Sequence, residues 1–196
     1  MRVTAPTPQC RPLSASTGSG WVSSPERVVT NAHVVAGGQD LYVQVGGTGA
    51  RLSATVVAFE PDLDLAVLLV PGLDAPVLPV AGELAASDDV AVAGFPLGGA
   101  YAVTSGRVRG IVQAPGQDIY GEAGVTREVY SLRATVQQGN SGGPLLTPDG
   151  AVAGTIFGRS PADTRTAYAL TAAQSAAFID AAAEDTSPAS TQGCRP

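Results

Sequence analysis

The chain has 196 residues, 44% of them apolar, which suffices for one large core or two small ones. Its net charge is -6, and all 11 basic residues are arginines scattered singly, a distribution that argues against nucleic acid as a partner. The absence of lysine also excludes Ser-Lys dyads, lysine Schiff bases and P-loops.

With 24 glycines and 15 prolines punctuating short apolar stretches, the sequence predicts an all-β architecture. Residues 1–15 read as an irregular, Pro-rich lead. They lack the apolar core of a signal peptide, and no apolar run reaches the roughly 18 residues of a membrane span, so no membrane contact is expected of this stretch. Over 16–82 come six strand-length pieces, "GWVSS", "RVVTNA", "LYVQV", "LSATVVAF", "DLAVLLV" and "APVLPV". The segment "PVAGELAAS", residues 79–87, leads into a second unit over 83–185 with six more, from "DVAVAGFP" to "TAYALT". Such spacing is that of antiparallel barrels and sandwiches. Only 171–185, "TAAQSAAFIDAAAED", predicts a helix, and 186–196 reads as an irregular tail.

Two cysteines and one histidine do not make a four-ligand zinc site, so neither a metal nor a cofactor is expected. Cys10 and Cys194 stand near the two ends, which lie close together in compact domains, and this placement predicts a disulfide and an oxidising compartment. The other reading is two separate reduced thiols.

The only histidine, His33, stands in "VVTNAHVV". Far downstream, "VQQGNSGGPLL" frames Ser141 with Gly139, Asn140, Gly142 and Gly143. Glycines let a backbone turn sharply and aim successive N–H groups at one point, as an oxyanion hole requires. The string also satisfies G-x-S-x-G, but the α/β-hydrolase order places the histidine after the serine, and here none follows. The order histidine, acid, serine is that of chymotrypsin-like enzymes. Between His33 and Ser141, "FEPDLDLAVLLV" offers Asp62 and Asp64; Asp64 directly precedes a continuous apolar run and suits a buried orienting acid better than Asp62, which follows Pro61 in a turn.

The stretches "TNAHVV", "DLDLAVL" and "GNSGGPL", in this order, resemble the catalytic motifs of chymotrypsin-fold proteases of the HtrA (DegP) type. "VAGFPLGG" and "VTSGRVRGI" support the likeness, which runs from about Gly18 to Phe178. A closer resemblance is to the actinobacterial membrane-anchored periplasmic serine proteases called MarP, whose protease domain carries a disulfide near its ends and no PDZ domain. The resemblance implies two six-stranded antiparallel β-barrels with a short C-terminal helix. It also implies a periplasmic serine endopeptidase, tethered by an N-terminal region and acting in envelope processing or stress. This fragment is then an excised, monomeric domain, and its partners are protein or peptide substrates. By the same likeness His33 is the base, Asp64 its orienting acid and Ser141 the nucleophile. The oxyanion segment is Gly139, Asn140 and Ser141, with N–H donors from the first and last. Thr135 lies at the floor of the substrate pocket, and Phe157, Gly158 and Arg159 form the strand that pairs with substrate. Asn140 stands where digestive proteases carry Asp, so activation by a new N-terminal ammonium is not available. The competing reading is a catalytically silent, protease-like binding module.

Overall fold

Residues 1–8, 10 and 14–194 are described by a computed structural model. In the N-terminal half, β1 (Arg2–Thr7), β2 (Ser14–Ser19), β5 (Tyr42–Gln44) and β6 (Leu52–Ser53) form one antiparallel sheet in the order β2-β1-β5-β6. A second sheet, β3-β4-β8-β7, is made by β3 (Trp21–Ser24), β4 (Arg27–Thr30), β7 (Thr55–Glu60) and β8 (Leu65–Leu69). In the C-terminal half, β9 (Asp89–Gly94), β10 (Ala102–Gln117), β11 (Ala123–Arg133), β12 (Pro144–Leu146), β13 (Val152–Arg159) and β14 (Thr166–Thr171) close into a barrel in the order β10-β11-β14-β13-β12-β9.

The mostly-β, chymotrypsin-like fold is as expected; among the described residues the second half forms a closed six-stranded ladder and the first half two four-stranded sheets. The first half is split because the chain bends from one sheet into the other at two corners, Gly20 between β2 and β3 and Ala54 between β6 and β7. At such corners a strand leaves one ladder and enters the next.

The expectation of an irregular lead is corrected, since β1 lies between β2 and β5 with Val3 and Ala5 fully buried. Proline misled there: Pro6 has no N–H to give, but pairing with β5 stops at Thr4, so Pro6 falls where that edge carries no ladder. Its carbonyl accepts the Gln39 N–H instead (2.8 Å).

Each half has its own core, around Val28, Val43 and Leu68 in the first and Val92, Leu132 and Ile156 in the second. A third cluster spans both, joining Trp21, Val29, Leu65 and Val67 to Val129, Val152 and Leu170. Burying each such large side chain contributes about 1.5–3 kcal/mol, so the two halves hold each other. Trp21 Nε1 adds a buried hydrogen bond across the same boundary, to Thr155 Oγ1 (3.1 Å).

The helix α2 (Ala172–Ala181) starts where Thr171 Oγ1 accepts the Gln174 N–H, a side-chain N-cap. It stops short of the expected 185 because the buried Arg27 of β4 takes over: Nε donates to Ala182 O and Nη2 to Asp185 O (3.3 and 2.8 Å). A cation at a helix C-terminus satisfies carbonyls that have no intrahelical donor and complements the helix dipole. Among the described residues no helix is long and apolar enough to cross a membrane.

Beyond α2 the tail runs back over the first half, with Ala189 N–H on Val56 O and Gly37 N–H on Thr191 O. Cys194 is bridged to Cys10, 184 positions away, with Cα atoms 5.5 Å apart. Closing so long a loop restricts the unfolded chain. Reduction is expected to lower the unfolding free energy by about 2–5 kcal/mol, read as a lower urea midpoint. An unchanged midpoint contradicts a stabilising bridge.

Candidate active site

His33 sits on α1 (Ala32–Val35), a single turn directly after β4. Val34 and Val35 on that turn are buried, which fixes the turn and leaves the imidazole at the edge of a cleft of about 380 Å³. Asp64 ends the turn before β8, its N–H donating to Pro61 O (3.3 Å), in a left-handed conformation (φ 58°) that short Asx side chains tolerate better than most.

Asp64 is 5% exposed, and its carboxylate is fully engaged. His33 donates its backbone N–H to Oδ1 (2.9 Å), and His33 Nδ1 stands 2.7 Å from Oδ2. Since a carboxylate only accepts, Nδ1 carries the proton, and in the neutral ring Nε2 keeps its lone pair. Asn31, just before α1, donates Nδ2–H to Asp64 O (2.8 Å) and so ties the acid's backbone to the base's helix. Asp62 is exposed two residues away, its N–H on Glu60 Oε1.

Ser141 opens into the same cleft from the C-terminal half. Among the described residues no hydrogen bond joins it to His33; in substrate-free sites that bond commonly tightens only when substrate binds. The loop that carries Ser141 is pinned on both sides. Ser19, the last residue of β2, donates its N–H to Ser141 O (2.8 Å) and its Oγ–H to Gly139 O (2.7 Å), while Oγ accepts the Phe95 N–H (3.0 Å). The Gly139 and Gly142 positions require glycine: both have positive φ (95° and 82°), and a Cβ would collide with Phe95 O at one and with Ser19 O at the other.

Leu97 N–H donates to the Gln138 carbonyl (2.6 Å), and a trans peptide points its N–H opposite to its C=O, so the Gly139 N–H faces away from Leu97. The N–H groups of Gly139 and Ser141 have no acceptor among the described residues. Asn140, between them, braces the turn: its N–H donates to Gln137 O (3.0 Å), and its Oδ1 accepts the Gln137 N–H (2.9 Å).

Of the expected substrate residues, Phe157 lines the cleft, whereas Gly158, Arg159 and Thr135 do not. Thr135 is exposed because its neighbours Ala134 and Val136 are the ones turned into the core. The cleft's further wall, missed in the sequence, is Gln117, Asp118 and Ile119 at the tip of the β10–β11 hairpin, together with Arg127. Ser19 and Asn31 were also missed, and an isolated serine at a strand end carries no signal. Among the described residues no group of three or more His, Cys, Asp or Glu is placed to hold a metal.

The family model of the trypsin-like peptidase domain matches residues 18–154. The chain belongs to the trypsin-like peptidase family. It is 41% identical over 196 residues to the serine protease Rv3671c of Mycobacterium tuberculosis, covering 99% of this chain and 48% of that protein. It is 37% identical over 142 residues to a DegP-like periplasmic serine endoprotease of Hahella chejuensis, covering 71% of this chain and 29% of that one. The chain thus spans about half the length of the first relative and under a third of the second. Against the solved active form of the Rv3671c protease the TM-score is 0.95 at 40% identity, over all of this chain and 85% of the other. Against the inactive form it is 0.79, over 92% and 88%. These relatives thus place the chain beside HtrA-related members of the trypsin-like peptidase family.

Removing the Ser19 hydroxyl leaves Gly139 O and the Phe95 N–H unpaired in a buried site. Ser19→Ala is expected to cost about 1–3 kcal/mol in chemical denaturation. Ser24→Ala, which removes a buried hydroxyl that has no partner, should leave stability unchanged or raise it. Equal effects of the two substitutions contradict the bracing role of Ser19.

Proposed function

We propose that this domain cleaves peptide bonds through an acyl-enzyme in which Ser141 is the nucleophile, His33 the general base and Asp64 the orienting acid. The observation that carries the reading is the 2.7 Å contact between His33 Nδ1 and Asp64 Oδ2 at the mouth of the cleft that Ser141 also lines. Ser141 Oγ attacks the carbonyl carbon as His33 Nε2 takes its proton. The tetrahedral intermediate collapses as the same proton passes to the leaving amine, and water then repeats the sequence to release the acyl group. Asp64 stabilises the imidazolium that forms on the way.

The two free N–H groups of Gly139 and Ser141 are the oxyanion donors, each worth on the order of 3 kcal/mol of barrier. Support for a loop already set for catalysis comes from the Gln138–Leu97 bond and from the greater likeness to the active form of the M. tuberculosis protease than to its inactive form.

Substrate adds as a strand. Pairing between β12 and β13 ends at Pro144–Thr155, and past Ile156, which bonds Gly142 and Gly143, the edge of Phe157–Arg159 beside Ser141 is open. An extended peptide docks on such an edge through its main chain.

The H. chejuensis relative is named as a periplasmic endoprotease and the bridged cysteines suit an oxidising compartment, which together support an extracytoplasmic location. Tethering of the longer protein by an N-terminal membrane region, a role in envelope processing or stress, and a monomeric state complete the reading.

In a fluorogenic peptide panel, Ser141→Ala and His33→Ala are expected to lower kcat/KM by at least roughly a thousandfold, and Asp64→Asn by about ten-thousandfold through loss of the correct tautomer. Turnover that survives in Ser141→Ala contradicts the mechanism. A wild type that turns over no peptide and takes no fluorophosphonate at Ser141 is a binding module.

A further inference from the structure

Arg127, on β11, is the buried arginine of the cleft. It is 8% exposed, yet among the described residues no carboxylate lies within ion-pair distance. Its Nη1 donates to Gln117 O (3.1 Å) and its Nη2 to Pro61 O (3.5 Å), both neutral carbonyls, and its buried Nε has no partner. The guanidinium carbon lies 5.9 Å from the centre of the Phe157 ring. The carboxylates that share the cleft are already engaged: Asp64 with His33, and Asp118 through Oδ1 with the N–H groups of Tyr120 and Glu122. A buried cation without an anion is costly, and the cost is relieved when a ligand brings the anion.

Resting on the protease reading above, we propose that Arg127 is the anchor of a substrate subsite that takes an aspartate or glutamate side chain on the amino-terminal side of the scissile bond. The side follows from strand direction. Every ladder that β13 makes with β12 and β14 is antiparallel. A peptide added in the same sense runs from Arg159 toward Ile156, so the residues lying over Phe157 precede those that reach Ser141. Phe157 then supports the stem of the acidic side chain while the guanidinium meets its head, as a planar fork suits a carboxylate. The acidic residue is therefore one of the first few positions before the scissile bond.

The test uses a peptide series with one glutamate moved through those positions, each paired with its glutamine counterpart. Wild type is expected to favour glutamate by about tenfold or more in kcat/KM at one position, with the preference shrinking at high salt as screening predicts. Arg127→Gln should bring that ratio to about one, and Arg127→Lys should hold an intermediate ratio. A Glu/Gln ratio of one at every position in wild type overturns the subsite, as does a preference that persists in Arg127→Gln. If Arg127→Gln does not fold, the wild-type ratio and its salt dependence decide the matter alone. Failure of the underlying protease reading looks different: no peptide of either kind is cleaved.

Discussion

One serine of the first half holds the loop of the proposed nucleophile in the second. Ser19 ends a strand of the N-terminal half, yet its N–H, its hydroxyl and its carbonyl all serve other segments: Ser141 O, Gly139 O with the Phe95 N–H, and Thr30 Oγ1. The proposed base and acid come from the first half and the proposed nucleophile from the second, so the chemistry depends on where one half rests against the other. The shared cluster around Trp21, Leu65, Val129 and Leu170 supplies the adhesion, and it is non-directional. Ser19 supplies direction, because hydrogen bonds of this kind hold only over a few tenths of an ångström and a narrow range of angles.

Buried charge is handled in three different ways, and the differences track function. Asp64 is surrounded by donors that hold both its carboxylate oxygens and its carbonyl, which suits a group meant to stay immobile. Arg27 is used structurally, its guanidinium closing the end of α2 through two carbonyls. Arg127 makes contacts of the same type but faces a cleft, and there the unmatched charge becomes available to a ligand. Burial alone does not distinguish the last two; what each side chain faces does.

Much of the site was legible in the sequence because its chemistry needs particular residue types in order. One histidine, an aspartate before an apolar run and a serine framed by glycines leave little freedom, and the structure brings His33, Asp64 and Ser141 to one cleft. The strands were legible wherever β-branched residues alternate with turns. What escaped depends on tertiary placement. Pro6 lies within a central strand because its ladder lapses just there. The helix ends early because Arg27 arrives from a distant strand. Ser19, Asn31 and Arg127 gain their roles largely from partners far along the chain, Ser141 for Ser19, Asp64 for Asn31 and Pro61 for Arg127, contacts that no local pattern encodes. Thr135, which the family resemblance puts at a pocket floor, is exposed between the buried Ala134 and Val136, an alternation that resemblance alone does not convey.

The most direct test of this account is the rate at which a fluorophosphonate labels Ser141 in wild type and in Ser19→Ala, at a temperature where both are folded. If the inter-half junction holds the oxyanion loop in register, wild type is labelled at Ser141 and the variant at least about tenfold more slowly. Equal labelling rates in the two proteins would contradict it.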